Sequence, residues 1–535
     1  MLEEARILAV HHRPDQPDGD AVERHPVLVA PAGAAPLARL LHAGLDQRRR
    51  GWIPPAQRLR RGQRQPEQPA QASETNEDEG RPVGDLTGAY FDGHHIEYKR
   101  DPLAASFSIR RLPGVLRDNR DFRTLYAANA VSQLGDWFNV VALFSLLLEL
   151  TGKGEAVAYA LLTRFVPMFL AGPAAGVLAD RVSRRAIMVV SDVARVALVL
   201  CLLFIRQADQ IWIAYAVVTA HSVVSAFFEP AQQAMLPNLV SEADYPLAAT
   251  LENSLWAATL AVGSALGGVA LALVGRDAAF LCDAASFLVS AALISRLPRG
   301  QARHADRQAM EVLEEARAPG SQIENLLGVR DLREGVRYVA SHRRVRALLA
   351  VKASFGLTLG GVLVLLAYFG EKVFAYGNGA GIAVLWTARG IGSFAGPFAA
   401  FRIAGTDDQG LRRGISAAFA LLVVCYVAFA LSPAIGYAAI ALALANAGGS
   451  ILWTSGSTLL QRMVPDAVRG RVAAAEIGGF MLTLSASTLA TGLLLDRGIP
   501  ARALMAACGL IALIPLAYWG FAQRAFQVTG QAARG

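Results

Sequence analysis

The chain has 535 residues, of which 54% are hydrophobic and 18% charged. Soluble chains average roughly 45–50% apolar with glycine included and about 25% charged. The net charge is +8. This balance excludes a soluble enzyme, a disordered protein and a fibrous one, and it assigns most of the chain to lipid.

The basic excess is almost all arginine, since lysine stands only at Lys99, Lys153, Lys352 and Lys372. With the abundant Ala and Gly, this bias fits a GC-rich bacterial genome. The arginines punctuate apolar runs instead of clustering on one soluble face. They therefore mark cytoplasmic loops, not a nucleic-acid surface.

Residues 1–118 contain no 18-residue apolar run. They hold Arg48-Arg49-Arg50, a Pro/Gln/Arg stretch from Pro54 to Pro69 and the acidic Glu74 to Glu79. Such a segment cannot bury enough apolar surface to offset its ordering entropy, and it reads as a disordered cytoplasmic tail. It has no signal-peptide pattern. A start codon assigned too far upstream is the competing explanation.

From Thr124 apolar runs of about 20 residues alternate with short polar breaks, each run long enough for the ~30 Å hydrocarbon layer. Six spans are expected near 124–150, 156–179, 187–206, 211–229, 250–274 and 278–297, and six more near 346–370, 379–401, 413–431, 435–457, 473–495 and 501–523. Residues 119–297 and 346–524 form two halves, 298–345 a central loop and 525–535 a short tail. The breaks after spans two, six, eight and ten carry most of the arginines, including Arg181, Arg184, Arg185, Arg402 and Arg471. The positive-inside rule then puts both termini and the central loop in the cytoplasm.

The halves echo each other. Gly172-Pro173 in span two matches Gly396-Pro397 in span eight, 224 residues on, and Gln233-x-Met-x-Pro237 matches Gln461-x-Met-x-Pro465, 228 residues on. The near-equal offsets predict an all-α integral membrane protein of twelve transmembrane helices in two pseudo-symmetric six-helix halves, with a site between them.

The loop after span two reads Gly176-Val-Leu-Ala-Asp-Arg-Val-Ser-Arg-Arg185. It resembles the G-x-L-A-D-R-x-G-R-R signature of the major facilitator superfamily, with Ser183 in place of the loop glycine. The order of elements extends the resemblance from about Arg111 to Arg524. Phe228-Glu-Pro-Ala-Gln-Gln-Ala-Met-Leu-Pro237 and Gln461 to Arg471 are similar to the branch of bacterial siderophore exporters and macrolide efflux proteins. The resemblance implies that Gly176, Asp180, Arg181, Arg184 and Arg185 form a conformational latch, with Arg195 as a candidate partner. The antiporter motif of span five is present only in part. Gly263, Gly267 and Gly268 remain as helix-packing positions, and Ser264 stands where proline is expected.

Charges inside the spans need a reason. Asp136, Arg164 and Arg389 fall at similar depth, beyond mid-bilayer from the cytoplasmic side, and the two arginines occupy matching places in the two halves. Asp136 is a candidate proton carrier, with Arg164 and Arg389 as holders of an anionic group. A structural Asp136–Arg164 ion pair is the alternative. Lys352, Glu229, Glu252 and Glu476 lie nearer the cytoplasmic ends, as gate or cap charges. His221 reads as a packed neutral imidazole, and Trp256, Trp386 and Trp453 as packing residues or a cavity wall. Ile323 to Val339 in the central loop has amphipathic spacing, which suits either a helix on the cytoplasmic leaflet or a tether between the halves.

No Walker loop, H-E-x-x-H pair or cysteine spacing for metal occurs. The expectation is therefore a non-enzymatic secondary transporter with no cofactor and no metal. It would be a proton-coupled exporter of a small, partly apolar molecule (a drug, siderophore or secondary metabolite), working as a monomer on the proton gradient of the bacterial cytoplasmic membrane. The alternative is a transporter-like membrane scaffold or sensor without transport.

Overall fold

The computed structural model describes residues 112–241, 244–298, 329–403, 405 and 407–523. The tail expected over 1–118 lies outside the described residues up to 111, as do most of the central loop and the C-terminal tail. Residues 112–118 are not tail. They form the short helix α1 (Leu112–Asp118), and Val115 is buried in a cluster with Phe122, Leu236 and Leu247.

The described residues are helical. The first set is α2 (Arg120–Thr151), α3 (Gly154–Arg181), α4 (Arg184–Cys201), α5 (Ile211–Leu239), α6 (Tyr245–Val274) and α7 (Arg276–Ile294). After α8 (Val329–Ser341) comes the second set: α9 (Arg343–Tyr368), α10 (Ala380–Ile403), α11 (Asp408–Leu431), α12 (Ile435–Met463) and α13 (Asp466–Asp496). The last span is α14 (Ala501–Ile511) continued by α15 (Leu513–Ala522). Eleven spans are long and apolar enough to cross a membrane among the described residues. α10 is long enough at 24 residues but is not among the eleven, because Arg389, Pro397 and four glycines dilute its apolar run.

Local chemistry sets several boundaries. Gly152 ends α2 at φ 67°, its N–H returning to the Leu148 carbonyl, a conformation that L side chains adopt at a cost. α5 was expected to end at 229 but continues through Pro230 and Pro237 to Leu239. Prolines are tolerated in membrane helices, and near the end of α5 Arg184 Nη1 donates to the Ala234 carbonyl at 2.6 Å. Span seven ends in a widened turn, Phe369–Val373, with the Phe374 N–H on the Phe369 carbonyl at 2.8 Å.

Helix pairing repeats. In the first set α2 packs on α6 and α7, α3 on α5, and α4 on α5 and α7. In the second set α9 packs on α13 and α14, α10 on α12, and α11 on α12 and α14. Each pair has its counterpart six spans on. Two seams join the sets: α6 against α10, and α3 against α13. Small residues make them possible. A Cβ at Gly268 or Gly390 would overlap Ala383 or Ala261 across the first seam, and one at Gly492 would stand 2.6 Å from the Ala158 Cβ across the second. Gly263 and Gly267 instead bring α6 onto α2, where an added Cβ would meet the Trp137 Cβ and the Phe138 Cα at 2.9 Å.

The face opposite the first described residues, the distal face, is held together across both sets. Asp496 at the end of α13 accepts from the Gly154 and Glu155 N–H groups at 2.9 and 2.8 Å, capping the N-terminus of α3. Glu371 in the widened turn accepts from Ser145 Oγ at 3.1 Å and from the Gly379 N–H at 3.2 Å. α8 covers the described part of the amphipathic stretch; residues 323–328 lie outside the described residues. Its Gly335 lies against the Arg471 backbone at the start of α13, and Glu334 pairs with Arg471 at 2.9 Å.

Candidate functional site

The interior of the first set is charged. Asp136 sits at the middle of α2, with His221 Nε2 of α5 3.6 Å from its Oδ1. Asp136, Asn139, Arg164, His221 and Ser222 line one void beside Phe144. Its space for water-sized spheres is about 30 Å³, room for about two waters. His221 packs against Phe287 with ring centroids 5.7 Å apart, and its Nε2 lies near the carboxylate without a hydrogen bond. Asp136 and Arg164 share the void, but no ion pair within 4 Å joins them among the described residues.

Around this void lie acids that the sequence analysis passed over. Asp192 on α4 is fully buried and pairs with Arg195 at 3.2 Å. Asp283 on α7 is also fully buried and accepts from Asn139 Nδ2 at 2.7 Å, while its Oδ1 has no partner. Gly135 makes this approach possible, since a Cβ there would stand 2.7 Å from Asp283 Oδ1. Asp192 was readable as the i−3 neighbour of Arg195 on one helix face. Asp283 was readable only as a lone acid in an apolar run.

Of the latch residues, the structure describes the side chains of Arg184, Arg185 and Arg195. Arg195, a candidate partner of the Asp180 loop, instead lies well inside α4. There it pairs with Asp192, and its guanidinium stands over Phe228 at 4.4 Å and Phe287 at 5.3 Å. Arg184 and Arg185 tie the loop to the Ala234 and Leu297 carbonyls. The side chains of Gly176, Asp180 and Arg181 lie outside the described residues.

In the second set each deep cation lies on tryptophan. Lys352 on α9 pairs with Glu476 on α13 at 2.5 Å, donates to Ser457 Oγ at 2.7 Å and stands 4.2 Å from the Trp453 ring. Arg389 on α10 lies over Trp386 of its own helix at 5.0 Å and over Trp256 of α6 at 5.5 Å. Trp386 in turn meets Trp137 and Phe144 of α2 at 5.7 and 5.8 Å. The structure thus brings Asp136 and Arg164 together and sets Arg389 in a separate aromatic cage at the α6–α10 seam. Glu252 is held by amides, with Asn129 and Gln232 donating at 3.2 and 3.0 Å.

A bundle of this form, with paired seams and charges buried between its spans, defines a multi-pass membrane transporter. The chain belongs to the major facilitator superfamily: the family model described as transmembrane secretion effector matches residues 116–534. It is 28% identical over 186 residues to the uncharacterized MFS-type transporter YfiS of Bacillus subtilis, covering 35% of this chain and 44% of that protein. It is 28% identical over 182 residues to macrolide efflux protein A of Streptococcus pyogenes, covering 33% of this chain and 45% of that protein. The chain spans about half the length of the curated relatives it matches. Among solved structures it is similar to the nucleoside transporter NupG, with a TM-score of 0.56 at 14% identity over 75% of this chain and 98% of that one. It is likewise similar to a POT family peptide transporter in complex with sulfate, with a TM-score of 0.56 at 12% identity over 77% of this chain and 95% of that one. These likenesses show the fold.

Proposed function

We propose that the protein exports a small, partly apolar molecule by alternating access, driven by proton entry through Asp136. It would work as a monomer in the bacterial cytoplasmic membrane with both termini in the cytoplasm. The carrying observation is the void with room for water that Asp136 lines together with Arg164 and His221. A carboxylate that shares a water-sized void with His221 and Arg164 can exchange a proton through water held there. Proton arrival and departure then bias the two arrangements of the halves. The macrolide efflux relative supports export, and the arginine-rich breaks support a cytoplasmic N-terminal face. On this topology the clasped distal face is the external one, and the described conformation is the one shut toward the outside.

The test is efflux of a panel of labelled amphipathic compounds, a macrolide included, from vesicles with an imposed pH gradient. Asp136→Asn should insert normally and lose at least tenfold in gradient-driven efflux. Wild-type efflux with unchanged pH dependence in this variant would refute the proposal.

A further inference from the structure

The four deep cations of the bundle are not equivalent. Lys352 has Glu476 and Arg195 has Asp192, while Arg164 lines the void of Asp136. Arg389 is 7% exposed, its Nε has no hydrogen-bond partner, and no carboxylate lies within 4 Å of it among the described residues. What surrounds it is aromatic: Trp386 and Trp256 on either side, with Trp137 6.0 Å from Trp256 and 5.7 Å from Trp386. The Trp386 indole N–H and the Thr387 hydroxyl are also buried without partners. Two of these unsatisfied donors, Arg389 Nε and the Trp386 indole N–H, stand three residues apart on one helix face beside Trp256 and are left without an acceptor.

We infer that Arg389, Trp256 and Trp386 form the substrate-recognising end of the transport path, selective for a flat monoanion such as a carboxylate on an apolar ring. The inference rests on the export reading above and names its substrate class. A guanidinium offers a planar fork that matches a carboxylate. The indole faces beside it accept a flat ring while the anion neutralises the cation between them. Trp256 is 45% exposed, which gives the cage a side open to an incoming ligand, and the cage spans the α6–α10 seam. A bound anion therefore touches both halves, so its presence is felt by their rearrangement. The same cage repels an ammonium group, so an amine cation is not the expected cargo.

The experiment uses the full chain in lipid nanodiscs at pH 7.5, titrated calorimetrically with 4-nitrobenzoate and with its neutral counterpart 4-nitrobenzamide. The wild type should bind the acid at least tenfold more tightly than the amide. Arg389→Gln should bring that ratio to about one by weakening the acid alone, and Arg389→Lys should keep part of the preference. Acid and amide binding within twofold of each other in the wild type would overturn the inference. So would an unchanged ratio in Arg389→Gln, or the absence of acid binding up to 10 mM, roughly ten times a millimolar affinity. Should Arg389→Gln not fold, tryptophan emission of the wild type decides: saturable quenching by the acid with the calorimetric affinity supports the cage, and its absence overturns it. Binding is read here without a proton gradient. Loss of acid preference with Asp136-dependent efflux intact sinks this inference alone, and acid binding without any efflux sinks the export reading alone.

Discussion

Replacing Asp496 with alanine should open the distal face. Its carboxylate accepts two N–H bonds at 2.9 and 2.8 Å from the first turn of α3, across the seam between the halves. Removing an N-cap acceptor costs about 0.5–2 kcal/mol, and losing a charge at a helix N-terminus costs about 0.3–1 kcal/mol more. Asp496 is exposed, so solvent replaces part of both terms and about 1–2 kcal/mol remains. That is roughly a 5–30-fold shift in the ratio of closed to open distal face. The shift is measurable by spin labels on Gln207→Cys and Tyr376→Cys, exposed positions on distal breaks of the two halves, after replacing the four native cysteines with serine. The long-distance population should grow by about that factor in Asp496→Ala and by less in Asp496→Asn, which keeps one acceptor oxygen. Distance distributions identical to those of the parent would refute the clasp.

The buried Lys352–Glu476 pair yields a second expectation: Glu476→Ala should cost about 3–5 kcal/mol by stranding the cation. At ~2.1 cal/mol/K per residue over some 400 residues this lowers the melting temperature by about 4–6 °C. Lys352→Met combined with Glu476→Leu should recover most of the loss, and a single variant that melts like the parent would contradict the pairing. Gly390→Leu should prevent close packing of α6 on α10 and reduce folded yield in detergent, because its Cβ position already coincides with Ala261; normal yield would count against the seam. Lys153→Cys should react with an impermeant maleimide from outside intact cells and Ser183→Cys should not; the reverse pattern would invert the topology.

The eleven apolar spans among the described residues were legible because lipid demands long apolar runs and internally satisfied backbones, which residue order displays directly. Their ends were less legible. α5 runs past Pro230 and Pro237 to Leu239, because a membrane helix tolerates prolines that would end a soluble one. Arg389 weakened the apolar signal of α10 and at the same time marked the place of greatest chemical interest. Depth along a helix can be counted from the loops, so Asp136 and Arg164 were placed level with each other. Direction around the helix cannot be read in the same way, so that His221 lies beside Asp136 was visible only in the structure. Asp496 carried no signal at all, since its partners are backbone N–H groups of a helix remote in sequence.

The two seams have a further meaning. α3 meets α13 while α6 meets α10, so the second span of one half faces the fifth of the other, twice and reciprocally. That is the contact expected of two copies of one six-helix unit related by a two-fold axis, each presenting the same self-complementary patch. Cutting the chain within the central loop removes none of these contacts. The two pieces, made as separate polypeptides in one cell, carry the full set of instructions for finding each other.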